Sequence, residues 1–157
     1  MDPLHVKIDR RPTPRTRKRE LSADMAVAAQ TTVSVLISAP SDRALPIAIA
    51  IAASGGANQP DDVLVVDDTM SRTRLSNLMK AGASLHERHR VVLLRNVEAF
   101  DHGQQSAVIE LLAQTRRPGA VPCRVIATTS VALFDRVAEG SFDSELFYKL
   151  NVIHIEP

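Results

Sequence analysis

Five short, nearly unbroken apolar runs recur along this 157-residue chain, and no other feature limits the fold as strongly. They lie at 33–37 (VSVLI), 63–66 (VLVV), 91–94 (VVLL), 123–127 (CRVIA) and 152–155 (VIHI). A strand with one wet face alternates apolar and polar residues, whereas a strand buried on both faces reads as a continuous apolar run. The runs therefore predict five strands of a parallel sheet. Parallel neighbours need long crossovers, and segments of helical period fill the gaps. Residues 43–53 are rich in Ala and Ile and stop at Ser54-Gly55-Gly56. Residues 69–80 follow Asp67-Asp68, a possible cap, and residues 101–115 place Val108, Leu111 and Leu112 at i, i+3, i+4 behind an Asp101 cap. Such alternation predicts an α/β fold, a three-layer αβα sandwich with right-handed crossovers.

A hydrophobic share of 45% with 24% charge suits one buried core. The longest apolar stretch, 44–53, is about half of the roughly 18 residues a membrane span needs. A single cysteine excludes an internal disulfide, and no apolar stretch follows the N-terminal basic residues as in a secretory signal. A cytoplasmic protein with no membrane partner is expected.

Charge is unevenly placed. Residues 1–20 carry seven basic groups against three acidic ones, net +4, which leaves −3 for the rest of a chain whose total is +1. Residues 1–21 are expected to form an extended or disordered arm, because prolines and self-repelling charge leave little to bury. Arg10, Arg11, Arg15, Arg17, Lys18 and Arg19 make a weak contact with nucleic acid, or an acidic protein surface, conceivable; a solubilising tail is the alternative. Without aromatics the arm offers no stacking platform for single strands.

Other clusters carry less chemistry. His86-Glu87-Arg88-His89 lacks the H-E-x-x-H spacing and is expected to be a solvated loop, so no metal site is predicted. Asp61-Asp62 and Asp67-Asp68 bracket the second strand as caps or solvated groups, and Cys123 should be a buried small hydrophobe.

The last third of the chain adds a resemblance. The run RVIATTSVALFDRVAEGSFDSELFYKLNVIHI, starting at Arg124, resembles the C-terminal half of the central ATPase domain of bacterial enhancer-binding proteins, the AAA+ activators of sigma-54 RNA polymerase. Gly140, Phe142, Glu145, Leu146, Tyr148, Leu150, Asn151 and Val152 fall on that family's pattern at unchanged spacing. The same residues make sense alone: Gly140 can turn the chain, Leu146, Phe147 and Leu150 can bury one side of a short helix, and Asn151 can end it in the left-handed conformation. Upstream, VVLLRNVEAFDHGQQSAVIELLAQ resembles the Walker B strand with its following helix, VSVLISAPSDRALPIAIAIAASGG the first strand, phosphate loop and helix, and QPDDVLVVDD the second strand. The resemblance spans about residues 22–156. It implies a P-loop NTPase/AAA+ sheet of order 5-1-4-3-2 in residues 22–157, lacking the helical lid.

It also locates what is changed. A working phosphate loop uses glycines for close backbone approach, a Lys for the β/γ-phosphates and a Ser/Thr for Mg²⁺. The corresponding nucleotide-binding stretch is Ser38, Ala39, Pro40, Ser41, Asp42, Arg43, Ala44 and Leu45, with neither Gly nor Lys. By the resemblance, the metal-positioning Asp falls on Arg95, the water-activating Glu on Asn96 and the sensor Asn on Ser130. Glu98, two residues past Asn96, is expected to be a solvated carboxylate. The two trans-acting Arg positions fall on Asp143 and Lys149, which with Phe142 become subunit-interface candidates. The resemblance thus implies a catalytically inactive core that acts as a transcription-related interaction or regulatory module, with no tightly bound ATP or Mg²⁺, no catalytic residues and a protein partner such as an active AAA+ relative. The alternative is a divergent ATP-binding domain with weak residual affinity.

Overall fold

Both faces of the three central apolar runs are largely covered, whereas the two edge runs are partly open, Val65 being 40% exposed. In the computed structural model, which describes residues 14–80, 89–116, 118–119 and 123–157, the five runs form β1 (Val35–Ser38), β2 (Val63–Val66), β3 (Val91–Leu94), β4 (Arg124–Thr129) and β5 (Ile153–Ile155). These make one sheet in the order β2-β3-β4-β1-β5, all pairs parallel, which read from the other edge is the expected 5-1-4-3-2. The described helices are α1 (Pro14–Gln30), α2 (Ser41–Ser54), α3 (Arg72–Lys80), α4 (His102–Thr115), α5 (Leu133–Ala138) and α6 (Ser144–Leu150). None is long and apolar enough to cross a membrane.

Successive strand residues point to opposite faces. Leu36, Val92, Leu94, Val125 and Ala127 join Val108, Leu112, Leu146 and Leu150 of α4 and α6 in one cluster. Their neighbours Val35, Ile37, Val91, Leu93 and Ile126 join Ala28 of α1 and Ala44, Ala48 and Ile51 of α2 in the other. Each fully buried Leu, Ile or Val contributes roughly 1.5–3 kcal/mol. The small side chains on α2 let it lie close to the sheet.

Three local expectations are corrected. Part of the expected arm is helical, because α1 begins at Pro14. Leu21, Met25 and Ala28, at i, i+4 and i+7, pack into the second cluster. A helix anchored there runs back through the good helix formers of RTRKRE to a proline suited to a first turn. Arg15, Arg17, Lys18 and Arg19 are therefore on the first turns of α1, whereas Arg10 and Arg11 lie outside the described residues. The helix expected at 69–80 begins at Arg72: Asp67 is occupied by the Thr69 amide and hydroxyl, and the Ser71 hydroxyl accepts from the Arg74 amide. Asn151 ends α6 at φ −87°, and the left-handed non-glycine residue is instead Asn96, at φ 50°. Gly140 does turn the chain, at φ 76°.

A polar residue inside the fourth run holds two helices at once. Arg124, 8% exposed, donates through Nη1 to the Ile51 carbonyl (3.1 Å) and through Nη2 to the carbonyls of Ala29 (2.8 Å) and Thr31. A cation thus sits where α1 and α2 end, satisfying carbonyls and opposing the negative ends of both dipoles. Gly55 leaves room for it, since a Cβ there would come within 2.5 Å of Nη1.

Candidate functional site

The connections decide where a site can form. From β1 the chain leaves to α2 on one face, and from β4 it leaves to α5 and α6 on the other. The crevice at the carboxyl ends of β1 and β4 is therefore the switch point at which open α/β sheets bind ligands. A cleft of about 480 Å³ opens there, lined by Ser38, Ala39, Pro40, Ser130, Phe134, Asn151 and His154 among others.

At this edge the helix expected from residue 43 begins two residues earlier. Ser38 ends β1 and Ser41 starts α2, so only Ala39 and Pro40 connect them. The Ala39 amide donates to the Thr129 carbonyl at 2.9 Å, and the amides of Arg43 and Ala44 turn back to the Pro40 carbonyl. Asp42 and Arg43 are exposed on the first turn, whereas Ala44 is buried and Leu45 half-buried in the core. An eight-residue glycine loop that wraps phosphates has no counterpart in a two-residue link, and Pro40 removes one of its amides.

The Walker B positions close on this link. The Ser41 hydroxyl donates to Asn96 Oδ1 at 2.8 Å, while the Asn96 amide donates to Thr128 Oγ1 at 3.1 Å. Arg95 is tied by its amide to the Val66 carbonyl. Asp67 lies nearby, its carboxyl held below the ordinary range chiefly by the Thr69 hydroxyl and amide, with the Arg95 charge adding to the effect. A cation thus faces the edge where a divalent metal would need carboxylates.

Sequence reasoning missed the role of Glu98. A short 3-10 turn, Val97–Ala99, swings it away from the strand direction. Rather than being solvated, its Oε1 accepts from the Ser130 amide (3.0 Å) and hydroxyl (2.6 Å), while Oε2 is buried without a hydrogen-bond partner. The positions 41, 96, 98 and 130 therefore bond one another in two pairs, with Glu98 Oε2 left over.

Of the interface candidates, one is in the core and two make local contacts at the surface. Phe142 is 3% exposed and belongs to the core, because the Gly140 turn folds it under α4 and α6. Asp143 caps α6, accepting from the Leu146 amide at 3.0 Å, and Lys149 pairs with Glu145 at 3.4 Å. What fixes this segment is another missed residue, Gln105. It is 1% exposed, donates to the carbonyls of Phe100 (2.9 Å) and Ser141 (3.2 Å), and accepts from the Asp143 amide (2.7 Å). A glutamine three residues before Val108, on the face α4 buries, was the available signal.

The remaining clusters keep modest roles. Asp62 accepts from the amides of Asn58 and Gln59, and Arg90 stands 3.9 Å away. The His89 ring contacts the Asp61 carbonyl at 2.7 Å, while residues 86–88 lie outside the described residues. Among the described residues no group of His, Cys, Asp and Glu could hold a metal ion. Burial pushes the Cys123 thiol up from 9.0 to about 11. Its thiolate fraction falls about 100-fold, so a disulfide reagent at pH 8 should modify the folded protein at least that much more slowly than the urea-unfolded chain. Equal rates would contradict this burial.

A parallel sheet of this order, with its ligand edge between the first and fourth strands, defines a P-loop NTPase core of the AAA+ type. The family model described as "Sigma-54 interaction domain" matches residues 19–156, and the chain belongs to that family. Its structure is similar to that of NtrX from Brucella abortus in complex with ADP, with a TM-score of 0.68 and 24% identity over 89% of this chain and 35% of that one. The P-loop NTPase domain of the sigma-54 transport activator from E. coli is also similar, with a TM-score of 0.62 and 16% identity over 88% of this chain and 92% of that one. RuvB from Thermotoga maritima shares the fold at a TM-score of 0.61 and 14% identity, covering 92% of this chain and 45% of that one. The chain spans about a third of the length of the NtrX it matches. No curated protein matches it.

Proposed function

We propose that this chain is a catalytically inactive sigma-54 interaction core that acts through protein contacts in transcription regulation and uses neither ATP nor Mg²⁺. The observation that carries this is the two-residue Ala39-Pro40 link, closed by the hydrogen bond from Ser41 to Asn96. Phosphoryl transfer relies on positioning and charge stabilisation, and the donors, the lysine and the metal-holding carboxylate are all replaced. A protein partner, an active AAA+ relative among them, suits a core that keeps the family fold without its chemistry.

The test is calorimetry of the purified chain with ATP and Mg²⁺, together with a phosphate-release assay. Neither Mg²⁺-dependent micromolar binding nor turnover is expected, and Arg95→Asp alone should restore neither because the link stays short. Micromolar affinity, with turnover lost on altering Arg43 or Glu98, would overturn this function. Weak residual nucleotide binding draws support only from Glu98, whose carboxylate stands at the same edge with one oxygen already taken by Ser130.

A further inference from the structure

This chain has five aromatic residues, and three of them meet at one place. Phe147 packs edge-on against Phe134, centroids 6.2 Å apart, and against Tyr148 at 5.4 Å. Phe134 and Tyr148 are 64% and 70% exposed. Exposed aromatics are the usual anchors of a binding surface, and here Phe134 and Phe147 line the cleft already described, whose floor includes Leu36, Val131 and Leu133, while Tyr148 packs on Phe147 just outside it.

Ser38 and His154 of this cleft contact each other at 2.7 Å and Ser130 bonds Glu98 at 2.6 Å, which leaves Asn151 and Glu156, the latter 3.6 Å from His154 Nε2. Asn151, a lining residue, has a buried Oδ1 without a hydrogen-bond partner, and Glu156 brings a largely exposed carboxylate to the rim. Both are acceptors, so the group that satisfies them must donate, and a guanidinium or ammonium also matches the charge of Glu156. The face agrees in charge. Residues 131–157 hold five carboxylates against two cations. Both cations are engaged, Arg136 with Glu139 at 3.9 Å and Lys149 with Glu145 at 3.4 Å. Aromatic rings beside acceptors favour guanidinium over ammonium, because the planar group is less strongly hydrated and stacks on rings.

We propose that this aromatic-lipped cleft docks an arginine-bearing segment of a partner protein, with the guanidinium against Phe134 and its N–H groups directed at Glu156 and the Asn151 side chain. The proposal rests on the interaction-module function and names its surface and the chemistry of its partner.

Tyr148 is the single tyrosine of a chain without tryptophan and packs on Phe147 of the cleft wall, so its emission reports on the surroundings of this site. A capped Arg-Pro-Arg-Pro-Arg peptide, titrated into the full chain at low salt, should change that emission saturably. Phe134→Ser should weaken the affinity about tenfold and Glu156→Gln several-fold. The same peptide with citrulline for arginine should not saturate. An unchanged emission, equal binding of the citrulline peptide, or unaltered affinity in both variants would overturn the proposal. Self-association of the chain alone that Phe134→Ser abolishes would assign the cleft to a second copy and overturn it too. Failure here, with ATP neither bound nor hydrolysed, would leave the inactive-core function standing, whereas ATP turnover would remove that function whatever the peptide does.

Discussion

Arg124→Met should lower the stability of this domain by roughly 3–5 kcal/mol, the largest single-residue effect expected outside the apolar core. The methionine fills a similar volume but donates nothing. Carbonyls of Ala29, Thr31 and Ile51 that the guanidinium now satisfies would lose it, and the Ala29 and Thr31 bonds are partly buried. Each bond to a charged donor is worth about 1.5–3 kcal/mol, partly offset by not having to desolvate the cation. Urea denaturation, read from the midpoint at unchanged slope, measures the loss. Gly55→Ala supplies an internal check. It should be strongly destabilising in the native background, where the new methyl meets Nη1, and close to neutral once Arg124 is Met. Additive losses, or a cost below about 1 kcal/mol for Arg124→Met, would show that the clasp does not hold α1 and α2.

Gln105→Leu should cost about 3 kcal/mol, and its effect should be local as well as global. One side chain joins the carbonyls of Phe100 and Ser141 to the amide of Asp143, which sets the entry of α6. Leucine keeps the bulk and leaves three backbone groups, one buried and two partly buried, without this partner. Hydrogen exchange at the Asp143 amide should therefore accelerate well beyond the average for the domain. A uniform acceleration would mean that the residue contributes stability without positioning α6.

Both residues were visible in the sequence, but neither could be assigned. Arg124 interrupts an apolar run and Gln105 a helical apolar stripe, and a polar residue on a buried face always needs partners. Their partners lie 95 positions away for Ala29 and 38 for Asp143, separations that only the folded topology closes. The five strands were legible for the opposite reason. A strand covered on both faces needs apolar residues throughout, so its own composition declares it.

The nucleotide edge was legible in residue types and misjudged in geometry. Ser41 and Asp42 are residues that commonly open helices, and with no glycine nearby nothing holds the chain in an open loop. The helix therefore starts as soon as Pro40 permits. Glu98 was expected to be solvated because it follows the strand, but the left-handed Asn96 and a 3-10 turn redirect the backbone and bring it to Ser130. Helix α1 was misjudged because its basic residues were weighed without Leu21, Met25 and Ala28, which anchor it.

The order of the strands also sets a timetable. β1 finds its hydrogen-bonding partners only in β4 and β5, with Val35 beside Ile126 and Ile153. At about 5–20 residues per second, synthesis leaves β1 waiting on the order of ten seconds before its last partner exists. Through that interval the first strand made is an unpaired apolar edge, the kind of segment that chaperones hold and aggregates recruit. The middle of this sheet can therefore close only once β5 has been made, and loss of the few residues of β5 would leave β1 as a permanent edge.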